Sequence, residues 1–341
     1  MTRTSPKRRS GVVLLIVIFF ALLLASTVAT FTNKALIDHM IVRNRDARAE
    51  ALAIARGGVR LATVLLLEDK LAENAAGAFD DREELWSRVN GHEIEVGNGS
   101  LRLEIVDVGS RLNLNSVIRF DESGKPAPNT TPLLVTLLVK AIDEIPLPPE
   151  QKRYDPAELA AQLIDYVDAD VVSQRGAPED DPYQQRDPPT RAANRPLLSV
   201  DELRNVEGFD AHVVEALRPY VTVYPYVGGA GINPNTAPPH VLALLFFDDG
   251  VELRIAPEDT VREILRVREE GRVLCGEGQS GETCTPIRDL VTNAIYPEPS
   301  YSSDVFVITA HGRVGDIQTG IEAVLDRSEG AEPLLLSWRV L

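Results

Sequence analysis

Gly11-Val12-Val13-Leu14-Leu15-Ile16-Val17-Ile18-Phe19-Phe20-Ala21-Leu22-Leu23-Leu24 runs on into the smaller Ala25-Ser26-Thr27-Val28-Ala29-Thr30-Phe31. From Val12 to Phe31 there is no charge, no glycine and no proline. A helix of about 20 such residues spans about 30 Å, the thickness of a bilayer's hydrocarbon core. The leader before it, Met1 to Ser10, carries Arg3, Lys7, Arg8 and Arg9 and no acid. That bias keeps the leader cytoplasmic and sends everything after Phe31 across the membrane.

Three readings fit this stretch alone. It is a cleaved secretory signal, with a small-residue region near Ala25-Ser26-Thr27-Val28-Ala29. It is an uncleaved signal anchor. Or the leader is cut at the Gly11–Val12 junction, before the apolar run, so that the run survives in the mature chain. The residues that follow have to separate them.

From Val12 to Lys125 there is no proline. Apolar residues recur at helical spacing beyond the membrane stretch: Leu36, Ile37, Met40, Ile41, then Ala47, Ala51, Leu52, Ile54, Ala55, then Val59, Ala62, Leu65 and Leu66. The spacing predicts one helix from Val12 to about Leu71, roughly 90 Å long. Gly57-Gly58 is its weak point, since each glycine costs about 1 kcal/mol relative to alanine. A discarded signal gives no reason for the helix to continue, which weighs against the first reading.

Two β-like runs follow, His92 to Val96 and Leu101 to Val108, around the hairpin signal Gly97-Asn98-Gly99. A long helix followed by a hairpin is α+β order rather than α/β. β character returns at Asp304 to Gly312, Gln318 to Asp326 and Leu334 to Val340, with turns at Gly315-Asp316 and Glu329-Gly330. Between these halves lie helical patterns at Leu133 to Ile145, Pro156 to Val167, Ser199 to Val206, Ala211 to Leu217, Pro238 to Leu245 and Glu258 to Arg268. The expectation is a long N-terminal helix packed on an antiparallel sheet, with a large all-helical insert between the strands. The divisions are 1–11 leader, 12–31 membrane part of the helix, 32–115 with 300–341 the α+β domain, and 116–299 the insert.

The formal charge is −16, and the acidic excess grows once the basic leader is set aside. Such a surface repels a polyphosphate backbone, so sequence-independent nucleic-acid binding is not expected. Cys275 and Cys284, the chain's two cysteines, read as a disulfide in an exported domain. From Asp168 to Pro196 runs a loop too polar to hold a core, and a loop of that length calls for a reason such as a metal. Asp165, Asp168 and Asp170 at a helix end, followed by Glu179, Asp180 and Asp181, form an oxygen-only set of the kind that suits Ca²⁺. The plain alternative is a solvated acidic loop. No nucleophile-elbow or phosphate-loop motif occurs, and the five histidines show no metal spacing. An enzyme, such as a membrane-anchored hydrolase, is not expected.

Several motifs together resemble the K-type minor pseudopilins of the bacterial type II secretion system. One is the basic leader, Gly11 and the apolar helix. Arg111-Leu112-Asn113-Leu114-Asn115 is similar to that family's G-R-x-N-L-N, and Leu163 to Asp170 to its D-W-x-D-x-D run. Gly176-Ala177 with Glu179-Asp180-Asp181-Pro182-Tyr183 looks like G-A-E-D-x-Y, and Leu203 to Phe209 and Ile232 to Ala237 resemble later motifs. Ser110, Tyr166 and Pro178 depart from the pattern. Most pilins and pseudopilins carry Glu at the fifth position after the cut. Here that position is Ile16, and lacking the Glu is itself typical of K-type members.

The resemblance implies cleavage by prepilin peptidase between Gly11 and Val12, with methylation of the new terminus. It also implies a single-pass inner-membrane protein with a periplasmic domain that assembles at the pseudopilus tip with I-type and J-type minor pseudopilins. Calcium in the insert is implied as well, with Asp165, Asp168, Asp170, Glu179 and Asp181 as candidate ligands. Leu203 to Leu217 and Ile232 to Leu245 look like helix-hairpin-helix segments, so a membrane-anchored DNA-binding or uptake protein is the alternative. Glu207 and Asp210 in the first turn count against it.

Overall fold

One helix, α1, runs unbroken from Ser10 to Ala76, about 100 Å at 1.5 Å per residue. The computed structural model describes residues 10–76, 79–122, 124–228, 231–248, 253–276, 284–291, 294–328 and 332–341. The basic leader before Ser10, the middle of the loop between the two cysteines and the Glu329-Gly330 turn lie outside the described residues. Side chains 12–46 of α1 are all exposed. Burial then begins with Ala51 and continues through Ile54, Ala55, Val59, Ala62 and Leu66, steps of three and four that keep one stripe on a neighbour.

That neighbour is a five-stranded antiparallel sheet: β1 (Glu93–Val96), β2 (Gly99–Asp107), β3 (Val305–Val314), β4 (Ile317–Asp326) and β5 (Leu334–Val340). Its spatial order follows the chain. Leu101, Leu103 and Ile105 of β2 alternate inward, and the register sets Ile308 opposite Ile105 and Ala310 opposite Leu103. With Phe306, Ile321, Ala323 and Leu325 they form the core against α1.

Small residues let helix and sheet touch. A Cβ built on Gly312 would stand 2.0 Å from the Ala51 carbonyl oxygen, so no larger residue fits between α1 and β3. Gly58 likewise faces Leu101 at 2.5 Å. The Gly57-Gly58 pair is therefore half packing contact, and it does not interrupt the helix.

The insert leaves from the end of β2 and returns at the start of β3, which pair directly through Asp107 and Phe306. Its larger helices are α2 (Thr130–Asp143), α3 (Pro156–Val167), α4 (Ala211–Leu217) and α5 (Glu258–Glu269). Leu133, Leu134, Leu137 and Leu138 of α2 share one core with Leu159, Ala160, Leu163 and Ile164 of α3. The insert is not all-helical, which corrects the expectation. Leu112–Asn113 pairs in parallel with Val221–Thr222, and Val273–Cys275 with Cys284–Pro286. Phe246–Asp248 pairs with Leu253–Arg254 and with Ala294–Tyr296. Strands of two or three residues are too short to show a period-two pattern in sequence.

The asparagines of Arg111-Leu112-Asn113-Leu114-Asn115 hold the entry to the insert. Asn113 Nδ2 donates to the Pro225 carbonyl at 2.9 Å. Asn115 Nδ2 donates to the Leu197 and Val223 carbonyls, while its Oδ1 accepts from Leu197 N. The motif serves folding by satisfying buried backbone groups.

Candidate functional site

The acids cluster because of how α3 ends. Asp155 caps the start of α3 by accepting from Ala157 N and Glu158 N, and apolar residues bury its inner face. Asp165 is thereby held inside, and Asp168, the C-cap residue, is 2% exposed. The following loop folds back on itself. Asp170 Oδ1 accepts from Val172 N at 2.7 Å, Ser173 N donates to the Ala177 carbonyl, and Val172 bridges Pro178. Gly176 sits at φ +81°, the left-handed conformation that reverses the chain. Glu179 N then bonds the Val171 carbonyl, and Glu179 comes to lie over the helix end, 4% exposed.

Asp165, Asp168 and Glu179 each offer a carboxylate oxygen to one spot, the three atoms within 4.8 Å of one another. Asp165 accepts from Gln174 N at 3.0 Å. Both oxygens of Asp168 and both of Glu179 are buried with no hydrogen-bond partner among the described residues. Burial first, then Asp168, Asp165 and Asp170, pushes Glu179 up to about 8. Burial, with Asp170 and Asp165, pushes Asp168 to about 6, and burial also raises Asp165. Buried carboxylates lacking donors demand either protons or a cation.

Asp170 stands exposed at the rim, close enough to act on Glu179. Asp181 lies outside the group, exposed at the start of the short helix Asp181–Gln184. Asp180, also outside, accepts from Ala192 N and faces Arg191 at 3.8 Å.

A second acidic group, Asp69, Asp80 and Glu84, already has its cation. Arg327 Nη1 donates to Asp69 and Nη2 to Asp80, each at 2.8 Å, with further bonds to the Leu66 and Ser303 carbonyls. The guanidinium also lies 4.7 Å from the Phe306 ring centre. This buried junction ties α1 to the sheet, and nothing in local sequence marks it.

The segments expected as helix-hairpin-helix are slighter than that. Leu203–Leu217 is a six-residue 3₁₀ turn, Val200–Asn205, followed by the seven residues of α4. Ile232–Leu245 holds a four-residue helix, Pro239–Leu242. Their one arginine, Arg204, pairs with Glu215, and the nearby Arg218 and Arg186 pair with Asp201 and Glu215 and with Glu207. In Ile232-Asn233-Pro234-Asn235-Thr236-Ala237 the polar groups serve the fold. Asn233 N donates to the Gly109 carbonyl, Thr236 Oγ1 to Asp107, and Asn235 exchanges two bonds with Leu274.

Cys275 and Cys284 are joined, with Cα atoms 5.9 Å apart. Val12 begins the exposed apolar half of α1, long and apolar enough to cross a membrane, and Ile16 is 49% exposed within it. Gly11 lies in its first turn.

Residues 110–226 match the family described as type II secretion system (T2SS), protein K. The type II secretion system protein K of Pseudomonas aeruginosa is 34% identical over 206 residues, covering 58% of this chain and 56% of that one. That of Aeromonas hydrophila is 28% identical over 268 residues, covering 74% and 73%. A putative type II secretion system protein K of Escherichia coli K12 is 27% identical, with 41% of its length matched. The chain thus spans about half the length of the Pseudomonas and K12 relatives. In fold it resembles a chain of the GspK-GspI-GspJ complex from the enterotoxigenic Escherichia coli type 2 secretion system, with a TM-score of 0.61 at 20% identity, over 88% of this chain and 99% of that one. The chain is thus similar to the type II secretion system protein K family, and the match over residues 110–226 takes in both the asparagine-rich entry motif and the acidic loop.

Proposed function

We propose that this protein is a non-enzymatic minor pseudopilin that occupies the tip of the type II secretion pseudopilus and supports protein export across the outer membrane. The observation that carries the reading is α1: its first half stands free of the folded domain, its Val12–Phe31 stretch is apolar on all sides, and it holds Ile16 where filament subunits place a carboxylate. A charged carboxylate in a membrane-like medium is stable only when paired. A subunit with Ile16 needs no amine from a neighbour above it, yet its own Val12 amine still serves the subunit below. It therefore suits the end of a filament, and the insert beyond the sheet adds bulk there. Prepilin peptidase would cut after Gly11, leaving α1 anchored in the inner membrane and the domain in the periplasm. The fold neighbour was solved with GspI and GspJ, which supports I-type and J-type pseudopilins as partners.

Asp165, Asp168 and Glu179, with Asp170 at the rim, would hold calcium. Such an ion supplies the positive charge that the four partnerless oxygens call for, and it would fasten the loop to the end of α3. DNA binding has no comparable support, since Arg204 of its candidate segments and the neighbouring Arg186 and Arg218 are ion-paired.

The test is Ile16→Glu followed by immunogold labelling of pseudopili. Labelling along the filament instead of only at its end supports the reading. An unchanged tip location overturns the role given to Ile16.

A further inference from the structure

A cleft between the sheet and the insert collects cations that the fold leaves without carboxylates. It has a volume of about 420 Å³ and is lined by Arg82, Trp86, Arg111, Pro219, Pro238 and His240, among others. Arg111, half-buried, has no hydrogen bond from its guanidinium to any described residue, so all five of its N–H groups remain to be used. Arg82 donates through Nε and Nη2 to the Thr236 carbonyl at 3.1 and 2.7 Å, which leaves Nη1 unengaged. Arg268 stands near Arg82 and is attracted by Asp81 from a distance, its own bonds going to the Ala237 and Pro234 carbonyls. None of the three makes an ion pair among the described residues. Glu104 and Glu322 attract Arg111 from a distance, and Arg218 repels it.

In a chain with 51 acids to 35 bases, most partly buried arginines find a carboxylate, as Arg186, Arg218 and Arg272 do. Arg82 and Arg268 stand close together, and like charges so placed weaken a fold unless something else neutralises them. Asp107, the acid at the edge of this cleft, does not do so. Its oxygens are taken by Gly109 N, Thr236 Oγ1 and Asn233 Nδ2, and burial favours its neutral form. The cleft also has the apolar walls of Trp86, Pro219 and Pro238. A small inorganic anion makes no use of them, whereas the methylenes of a glutamate-bearing segment do.

We propose that this cleft binds an acidic, extended segment of a partner protein, whose carboxylates are held by the free N–H groups of Arg82 and Arg111. Arginine forks suit this task because each can grip one carboxylate with two parallel bonds. The site uses none of the residues on which the tip reading rests, so either can fail alone.

The test uses the full-length protein in detergent with calcium present, and a fluorescein-labelled, C-terminally amidated tetraglutamate peptide followed by anisotropy. The wild type is expected to bind it in preference to tetraglutamine. Arg82→Gln and Arg111→Gln should each weaken binding by about tenfold or more. Arg262→Gln, at an exposed arginine paired with Asp259, should leave it unchanged. Arg111→Lys keeps the charge without the fork, and should fall between wild type and Arg111→Gln, which guards against misreading a misfolded variant. Equal affinity for tetraglutamine, or Arg82→Gln and Arg111→Gln binding as the wild type does, overturns the proposal. So does displacement of the peptide by inorganic phosphate at matching concentration, which would reassign the cleft to small anions.

Discussion

Glu179 lies over Asp168 with all four of their carboxylate oxygens buried and without a well-formed hydrogen bond among the described residues. Eleven positions separate the two in sequence, and the fold-back of 170–179 brings them together. From this relationship comes the first prediction. Calcium at about a hundred times its Kd should raise the melting midpoint by about 5–10 °C over the value in EDTA. Asp168→Asn and Glu179→Gln should each abolish that shift, and Asp168→Asn should melt higher than the wild type in EDTA at neutral pH because a buried charge is gone. An EDTA-insensitive midpoint sinks the calcium reading.

Arg327 is the second test. Replacing it with Met leaves Asp69 and Asp80 facing one another without a cation, which should cost about 3–5 kcal/mol in denaturant unfolding. Adding Asp80→Asn to Arg327→Met should recover part of the loss, because one of the stranded charges is removed. Additive losses would show that the two residues do not act as a unit.

Glu84 carries a pH dependence. Burial, followed by the nearby Asp69, pushes its carboxyl up to about 8, against an opposing bond from Trp86 Nε1. Between the unfolded value near 4.5 and about 8 the folded state keeps a proton that the unfolded chain has lost. Stability should therefore fall as pH rises through that window. The measurement is made with calcium present, so that the acidic cluster contributes little. Glu84→Gln should flatten the slope, and an unchanged slope would assign it to other groups.

Gly312 tests how closely α1 meets the sheet. Gly312→Ala puts a methyl against the Ala51 carbonyl and should cost about 1–3 kcal/mol, read by denaturant unfolding. Gly57→Ala, where nothing lies within 4 Å, should be neutral or slightly stabilising.

The long helix and the hairpin were legible because periodicity and turn chemistry act over neighbouring residues. Pro156 to Val167 is the same helix in sequence and structure, with Asp155 and Pro156 marking its start. What sequence did not disclose is long-range. Arg327 meets Asp80 across 247 positions and Thr236 meets Asp107 across 129, and neither pairing has a local signature. The acidic loop was half legible. Six nearby acids pointed to a cation, but the pairing of Val172 with Pro178 decides that Glu179 turns inward. Asp181 then falls in a separate short helix. The insert's strands are only two or three residues long, and two of their pairings, Leu112 with Val221 and Phe246 with Tyr296, are distant in sequence, so the segment read as helical throughout.

The account as a whole rests on α1 being retained from Val12 onward as the packing helix of a filament subunit. N-terminal sequencing of the protein isolated from membranes tests this most directly. The account predicts a mature chain beginning at Val12, with its amine methylated. A chain beginning near Thr30, or one still carrying Met1 or Thr2, would contradict it.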